Sequence, residues 1–406
     1  MNLGAHAAPL AFDEALRLAQ ERSRQLPALA SAAAASREMA LAAGQRPDPV
    51  IRAGINNLPI SGADRFSLSR DFMTMRSVGV MQELTRTGKL TARAARFERE
   101  AEVAQANREL TLASLQRDTA VAWLERFYQE RMREVLAAQR DENKLQGDAA
   151  DSAYRAGKGS QAEVFAARTA VVMIEDRLAL SERLVNTATT LLARWVGAPA
   201  NEALGPPPAL NTVRLRADDL EAQLQHHPQI EILARQEALA QADADVAMAN
   251  RTSDVSVEMM FSQRGSAYSN MLSFNVSLPW QWDAKNRQDR EVAAKLAMVE
   301  QLRAEREEAT RAHVAEARVM LHEWHSSHER LARYDTLLLP LAAQRTSAAL
   351  AAYRGGGGVL NAVLEARRAE IDTRIERLKL EMEAARLWAQ LNHLVPAGRP
   401  LKESTP

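Results

Sequence analysis

The residues whose types and spacing could do chemistry are two glycine-rich stretches and a run of histidines. Gly157-Lys158-Gly159-Ser160 offers the backbone N–H groups and lysine that can cradle a phosphate. The spacing of a P-loop is absent, however, and a helical run precedes it where a strand should stand. His322, His325 and His328 recur every three positions, with His313 upstream. Imidazoles on one helical face can hold zinc or copper. Steps of three residues drift round a helix, and nothing completes a tetrahedral set, so solvated histidines are expected and no metal site. His226-His227, ahead of Pro228, read as loop. No Ser/His/Asp grouping stands on recognisable catalytic elements. Neither an enzyme nor a cofactor is expected.

The glycines make better sense as turns. Ala153-Tyr154-Arg155-Ala156-Gly157 returns as Ala352-Tyr353-Arg354-Gly355-Gly356, 199 positions on. After each copy Val164, Ala167, Arg168 and Ala170 recur as Val363, Ala366, Arg367 and Ala369. Long helical runs with almost no glycine lie upstream. Glycine after a helix supplies the positive φ that lets a chain reverse. Both copies therefore read as turns at the tip of a long helical hairpin, and an internal repeat outranks other signals of fold.

Composition narrows the class. The 406 residues carry 52 basic and 52 acidic side chains, so no basic face marks a nucleic-acid binder. The chain has no cysteine, which excludes disulfides and thiolate metal sites. No run of about 18 apolar residues announces a membrane helix. The N-terminus lacks the basic segment and apolar core of a secretory signal, which fits a cytosolic protein or a chain whose signal has been removed.

In chain order, residues 10–196 form a first repeat. It has two helices, strands at about 50–57 and 75–84, a helix from about 89 to 154, a tip turn at 154–159 and a return helix. Residues 197–213 hold Pro199, Pro206, Pro207 and Pro208 and form a linker expected to be non-helical. Residues 214–395 replay the plan, with strands at about 255–262 and 272–278 and a tip turn at 353–358. The long helix here, about 285–353, is expected to kink near Pro340. Residues 396–406 form a tail.

Helices of roughly 100 Å, at 1.5 Å per residue, must pack sideways against one another. Leu272, Phe274, Val276 and Leu278 alternate with Ser273, Asn275 and Ser277, a strand with one apolar and one polar face. Four strands cannot close a barrel, and an open sheet leaves edges. The edges vanish if several chains share one barrel, which could also cross a bilayer. A small soluble β-domain on a coiled coil fits the pattern equally.

The duplicated plan, with a Tyr-Arg-x-Gly turn at Tyr154-Arg155-Ala156-Gly157 and again at Tyr353-Arg354-Gly355-Gly356, resembles the TolC-type outer-membrane efflux channels over nearly the whole chain. Gln82-Glu83-Leu84 followed by Gly88-Lys89 is similar to the heavy-metal branch of that family, and Ala284-Lys285 stands at the matching place later. The resemblance implies a mainly α fold with a small β part. It implies a homotrimer with a barrel of twelve strands and a periplasmic helical tunnel. It implies a passive duct, coupled by a periplasmic adaptor protein to an inner-membrane RND pump, exporting divalent heavy-metal cations. Organic-compound efflux through the same fold, or a soluble periplasmic coiled-coil adaptor, are the alternatives.

The resemblance also implies site residues. Acidic residues behind the turn glycines, here Glu163 and Glu365, would become rings of three charges at the aperture. Each also suits the first turns of a helix, where negative charge meets the positive end of the dipole. The family's acidic position six places after the turn glycine, filled by Glu163 in the first copy, is Ala362 in the second, where Glu365 stands at the ninth, and its basic residue two places after Gly356 is Gly358. Tyr154, Arg155, Gly157, Tyr353, Arg354 and Gly356 would form the tip and the adaptor's docking surface.

Overall fold

The structure, a computed structural model, describes residues 8–215, 220–224 and 227–394. His226 and the expected tail lie outside them. The elements are α1 (Phe12–Arg22), α2 (Gln25–Ala43), β1 (Val50–Asn56), β2 (Met75–Leu84), α3 (Thr87–Arg155), α4 (Gln161–Val196), α5 (Leu220–Leu224), α6 (Pro228–Ala249), β3 (Val255–Gln263), β4 (Met271–Ser277), α7 (Gln288–Arg333), α8 (Leu339–Arg354) and α9 (Leu360–Asn392). The chain is mainly helical with one small sheet.

One expectation is corrected. The linker holds one 3₁₀ turn, Ala198–Asn201, because Pro199 sits in its first turn, where a missing N–H costs nothing. The second long helix is irregular close to Pro340. A π segment, Tyr334–Leu338, separates α7 from α8 just ahead of Pro340. Proline has no N–H to give Thr336 the ordinary helical bond, and a wider turn absorbs the mismatch.

The chain divides into two compact units. The first comprises Met1–Pro27, Glu109–Pro228 and Ala309–Pro406. Its core gathers Phe12 of α1, Trp123, Leu124 and Tyr128 of α3, Leu192 and Val196 of α4, Trp324 of α7 and Trp388 of α9. Phe12 meets Trp123 edge-on at 5.5 Å, a favoured aromatic geometry. The linker is tied down by buried polar groups. Arg126 donates to the carbonyls of Ala200 and Glu202, and the Trp388 indole donates to Thr212 O at 2.8 Å. Farther along the helices, Met132, Leu136, Ile174, Leu178, Ile371 and Ile375 join α3, α4 and α9.

The second unit comprises Ala28–Arg108 and Gln229–Glu308. Its sheet is antiparallel throughout, in the order β1-β2-β3-β4. Val78 faces Phe261 and Val80 faces Met259, and Phe261 and Met259 in turn face Leu272 and Phe274, so the apolar positions of neighbouring strands fall on one face. On the other face Glu258 accepts from Arg52 and from Asn275, each at 3.3 Å. Gly79 is required here: a Cβ would come within 2.8 Å of Met259 O. The helical part of this unit is held by ion pairs between helices, Arg96–Asp243 at 2.9 Å and Arg306–Glu237 at 2.8 Å.

Candidate functional site

Both glycine turns lie in the first unit, and two backbone hydrogen bonds recur in both. After α3, Gly157 takes φ +71°. Its N–H donates to Tyr154 O at 2.9 Å, and that of Lys158 to Ala153 O at 2.9 Å. After α8, Gly356 takes φ +77°. Its N–H donates to Tyr353 O at 3.1 Å, and that of Gly357 to Ala352 O at 3.1 Å. This is the Schellman pattern, which satisfies the last carbonyls of a helix and needs a residue without a Cβ penalty at positive φ.

The two turns share an apolar cluster. Ala150 of α3, Val164 and Ala167 of α4 and Leu360 of α9 are buried together, with Tyr353 packed against them. Tyr154 does not join and stays exposed. Arg155 pairs with Asp151 one turn back, and Arg168 reaches the same carboxylate at 3.5 Å. Among the described residues Arg354 makes no ion pair, and it is exposed.

The two glutamates stand in different settings. Glu163 belongs to a capping box: its carboxylate accepts from Ser160 N at 2.9 Å, while its own N–H donates to Ser160 Oγ at 3.2 Å. That ties the side chain to its own helix end. The Ser-x-x-Glu spacing was legible in the sequence. Glu365 accepts from Asn361 at 3.3 Å and stands on the rim of a cleft of about 370 Å³ between α3, α4 and α9, with Arg177 and Arg368 beside it. Gly358 explains the missing basic residue, since a Cβ there would lie 2.9 Å from Tyr353 N and 3.1 Å from Ala352 C. The buried Glu370 carboxylate meets Arg374 at 2.6 Å and Arg367 at 3.5 Å, pairs at the four- and three-residue spacings of a helix face, and Arg367 also reaches Glu142 of α3 at 3.3 Å, which no short spacing announces.

The histidines are placed by packing. His325 and His328 lie against Trp324, with ring centres 5.0 and 4.3 Å away. His227 stands in the coil between α5 and α6. It is buried and stacks on His313 at 4.6 Å. Burial, with His313 and Arg117 adding, holds its pKa down at about 4. Among the described residues, no group of three His, Asp or Glu side chains could hold a metal ion. The residues of the heavy-metal resemblance have local partners: Lys89 pairs with Asp254 at 2.6 Å, and Gln82 donates to Pro47 O at 2.8 Å.

No protein-family profile matches the sequence, and no curated protein matches it. Solved structures do match. The outer-membrane channel OprN superposes with a TM-score of 0.79 at 16% identity, over 95% of this chain and 90% of that one. CusC, described by its conformational changes on folding and transmembrane channel formation, gives 0.77 at 14%, over 95% and 93%. The outer membrane protein VceC of Vibrio cholerae gives 0.76 at 16%, over 94% and 95%. The chain has the fold of the TolC-type outer-membrane efflux channels.

Proposed function

We propose that three copies of this chain form the outer-membrane duct of a tripartite efflux assembly in a Gram-negative cell. The observation that carries this is the sheet. β1 and β4 are free edges, and Ile51, Phe274 and Val276 are exposed on its apolar face. Such a surface is an aggregation hazard in water and a fit for lipid. Three sheets of four strands would close a twelve-stranded barrel with no edge. The inner strands β2 and β3, with ten and nine residues, have the roughly 9–11 residues that a tilted spanning strand needs, and the edge strands β1 and β4 have seven each. Aromatic side chains flank the strands: Trp280 and Trp282, 83% and 85% exposed, follow β4, and Phe66 and Phe72 occupy the loop between β1 and β2. No helix among the described residues is long and apolar enough to cross a membrane. A soluble adaptor would have no use for the exposed face.

In this reading the paired helices line a periplasmic tunnel and the two turns form its tip, where a periplasmic adaptor couples the duct to an inner-membrane RND pump. Glu163 and Glu365, tripled by symmetry, raise the local concentration of cations, which favours divalent heavy metals as cargo. The duct is passive and needs no cofactor. The test is the mass of the purified protein in detergent, with circular dichroism on the same sample. A detergent-requiring trimer, mostly helical with a minor β component, is expected, and a water-soluble monomer overturns the reading. In planar bilayers Glu365→Gln should lower cation selectivity. Unchanged selectivity would remove Glu365 from the aperture.

A further inference from the structure

Successive side chains of a strand point to opposite sides, so the register sorts the sheet into two faces. Val78, Val80, Phe261 and Phe274 share the apolar one. Among the paired positions of that face a single residue is charged. It is Arg76, second in β2, opposite Ile55 on β1 and Gln263 on β3. Arg76 is exposed and makes no ion pair among the described residues. The carboxylates nearest in the chain are committed elsewhere. Asp71 Oδ1 accepts from the N–H groups of Met73 and Thr74, at 2.8 and 3.2 Å, and Asp64 faces Arg70 at 3.6 Å. A second copy pairing along β1 or β4 would bring no carboxylate to this face, because its sheet carries the same residues. Arg76 also stands at the hairpin end of the sheet, where residues 57–74 and 264–270 join the strands. Exposed Ile60, Phe66 and Phe72 lie in the first of these loops. Leu84, last in β2, is about 26 Å away along the strand, at the end that Trp280 and Trp282 follow.

We propose that Arg76 is a binding site for the phosphate group of a phosphorylated glycolipid, the lipid A of the outer leaflet, with one site on each chain. A guanidinium on a lipid-facing strand is costly in the middle of the apolar layer and tolerated at its edge, where a phosphate can meet it. Its planar fork matches phosphate oxygens with two parallel N–H donors. A phosphate monoester offers three acceptor oxygens and close to two negative charges near neutral pH. A phospholipid diester offers one charge and two free oxygens, so the monoesters of lipid A are the better match. All helices connect at the opposite end of the sheet. In the channel reading that end faces the periplasm and Arg76 faces outwards, where the glycolipid lies. The isolated charge is a property of the sheet, while the identity of the lipid rests on the channel reading.

The full chain, purified in detergent, is titrated with bisphosphorylated lipid A, and bound lipid is counted by native mass spectrometry. Phosphatidylglycerol and lipid A stripped of its phosphates are run beside it. Lipid A should bind about tenfold more tightly than either. Arg76→Gln should weaken that binding about tenfold, and Arg76→Lys about threefold, since an ammonium keeps the charge but loses the paired bonds. Arg52→Gln removes the same charge from the opposite face and should leave lipid A binding as it was. Circular dichroism melts show that each variant is folded. Equal binding of the stripped lipid, or no loss in Arg76→Gln, overturns the proposal. So does an Arg52→Gln loss as large as that of Arg76→Gln, which would mean that net charge alone attracts the lipid. Phosphatidylglycerol bound as tightly as lipid A overturns the assignment to the glycolipid. A parent that stays a water-soluble monomer defeats the channel reading, whereas a detergent-requiring trimer that takes up no lipid A defeats this proposal alone.

Discussion

After α3 the chain turns through Gly157 and caps the next helix with Ser160. After α8 it turns through Gly356 and starts α9 behind Val359, which offers no side-chain cap. Two hydrogen bonds recur in both turns and the second adds one from Gly358 N–H to Ala352 O at 3.0 Å, so the larger difference lies in what surrounds them. The first hairpin couples an uninterrupted helix to a capped one, and its glutamate is spent on the cap. The second couples a helix broken at the π segment to an uncapped one, and its glutamate faces a cleft. At their far ends α4 stops at Gly197, with φ +79°, and α9 stops at His393. One backbone motif can thus end a stiff hairpin or a compliant one, according to caps and packing that lie outside the motif.

The largest expected effect concerns those far ends. Both ring nitrogens of His393 are buried with no hydrogen-bond partner among the described residues, and burial, with the Arg214 cation adding, holds its pKa at about 4. The folded chain keeps the ring neutral while the unfolded chain takes up a proton below about 6.5. The contribution is therefore complete above pH 6.5, is lost as pH falls towards 4, and is flat below. Melts at pH 7.5 and 4.5 should differ by about 2–3 kcal/mol from this residue, and His393→Phe should abolish its share. Gly197 gives α4 no such dependence. An unchanged pH difference in His393→Phe would show that acid acts elsewhere, with the buried His227 the first candidate.

Next come the glycines of the turns. Gly358→Ala forces a Cβ against backbone at 2.9 Å, whereas at Gly159 the nearest atoms are at 3.3 Å. Local opening measured by amide hydrogen exchange should cost about 1–3 kcal/mol at Gly358 and about 1 kcal/mol or less at Gly159. Equal losses would mean that the second turn relaxes freely.

The smallest effect is the most direct exchange between the turns. Ser160→Ala should loosen the start of α4 by about 1 kcal/mol. Val359→Ser with Ala362→Glu would write the same capping box into α9 and slow exchange there by a similar amount. If the transplanted box leaves α9 unchanged, capping is not what separates the hairpins.

Much of this was legible in the residues. The recurrence of Ala-Tyr-Arg before glycine, and the alternation of Leu272, Phe274 and Val276 with serine and asparagine, are local signals. A Schellman turn demands positive φ, and a two-faced strand demands period two, whatever the rest of the chain does. The capping box was equally local: Ser160 and Glu163 stand at its spacing.

Other features depended on partners far along the chain. Asp335 and Arg377 are separated by 42 positions, and their meeting depends on how α9 packs on the helix before it. His227 and His393 look like ordinary polar residues at helix ends until the core closes over them. By itself the sequence determined the turns, the strand faces and the repeat, because backbone conformation is decided within a few residues. Which polar groups were buried, paired or aimed into a cleft was decided only by the tertiary structure, because burial and ionic contact belong to surfaces that different segments make together.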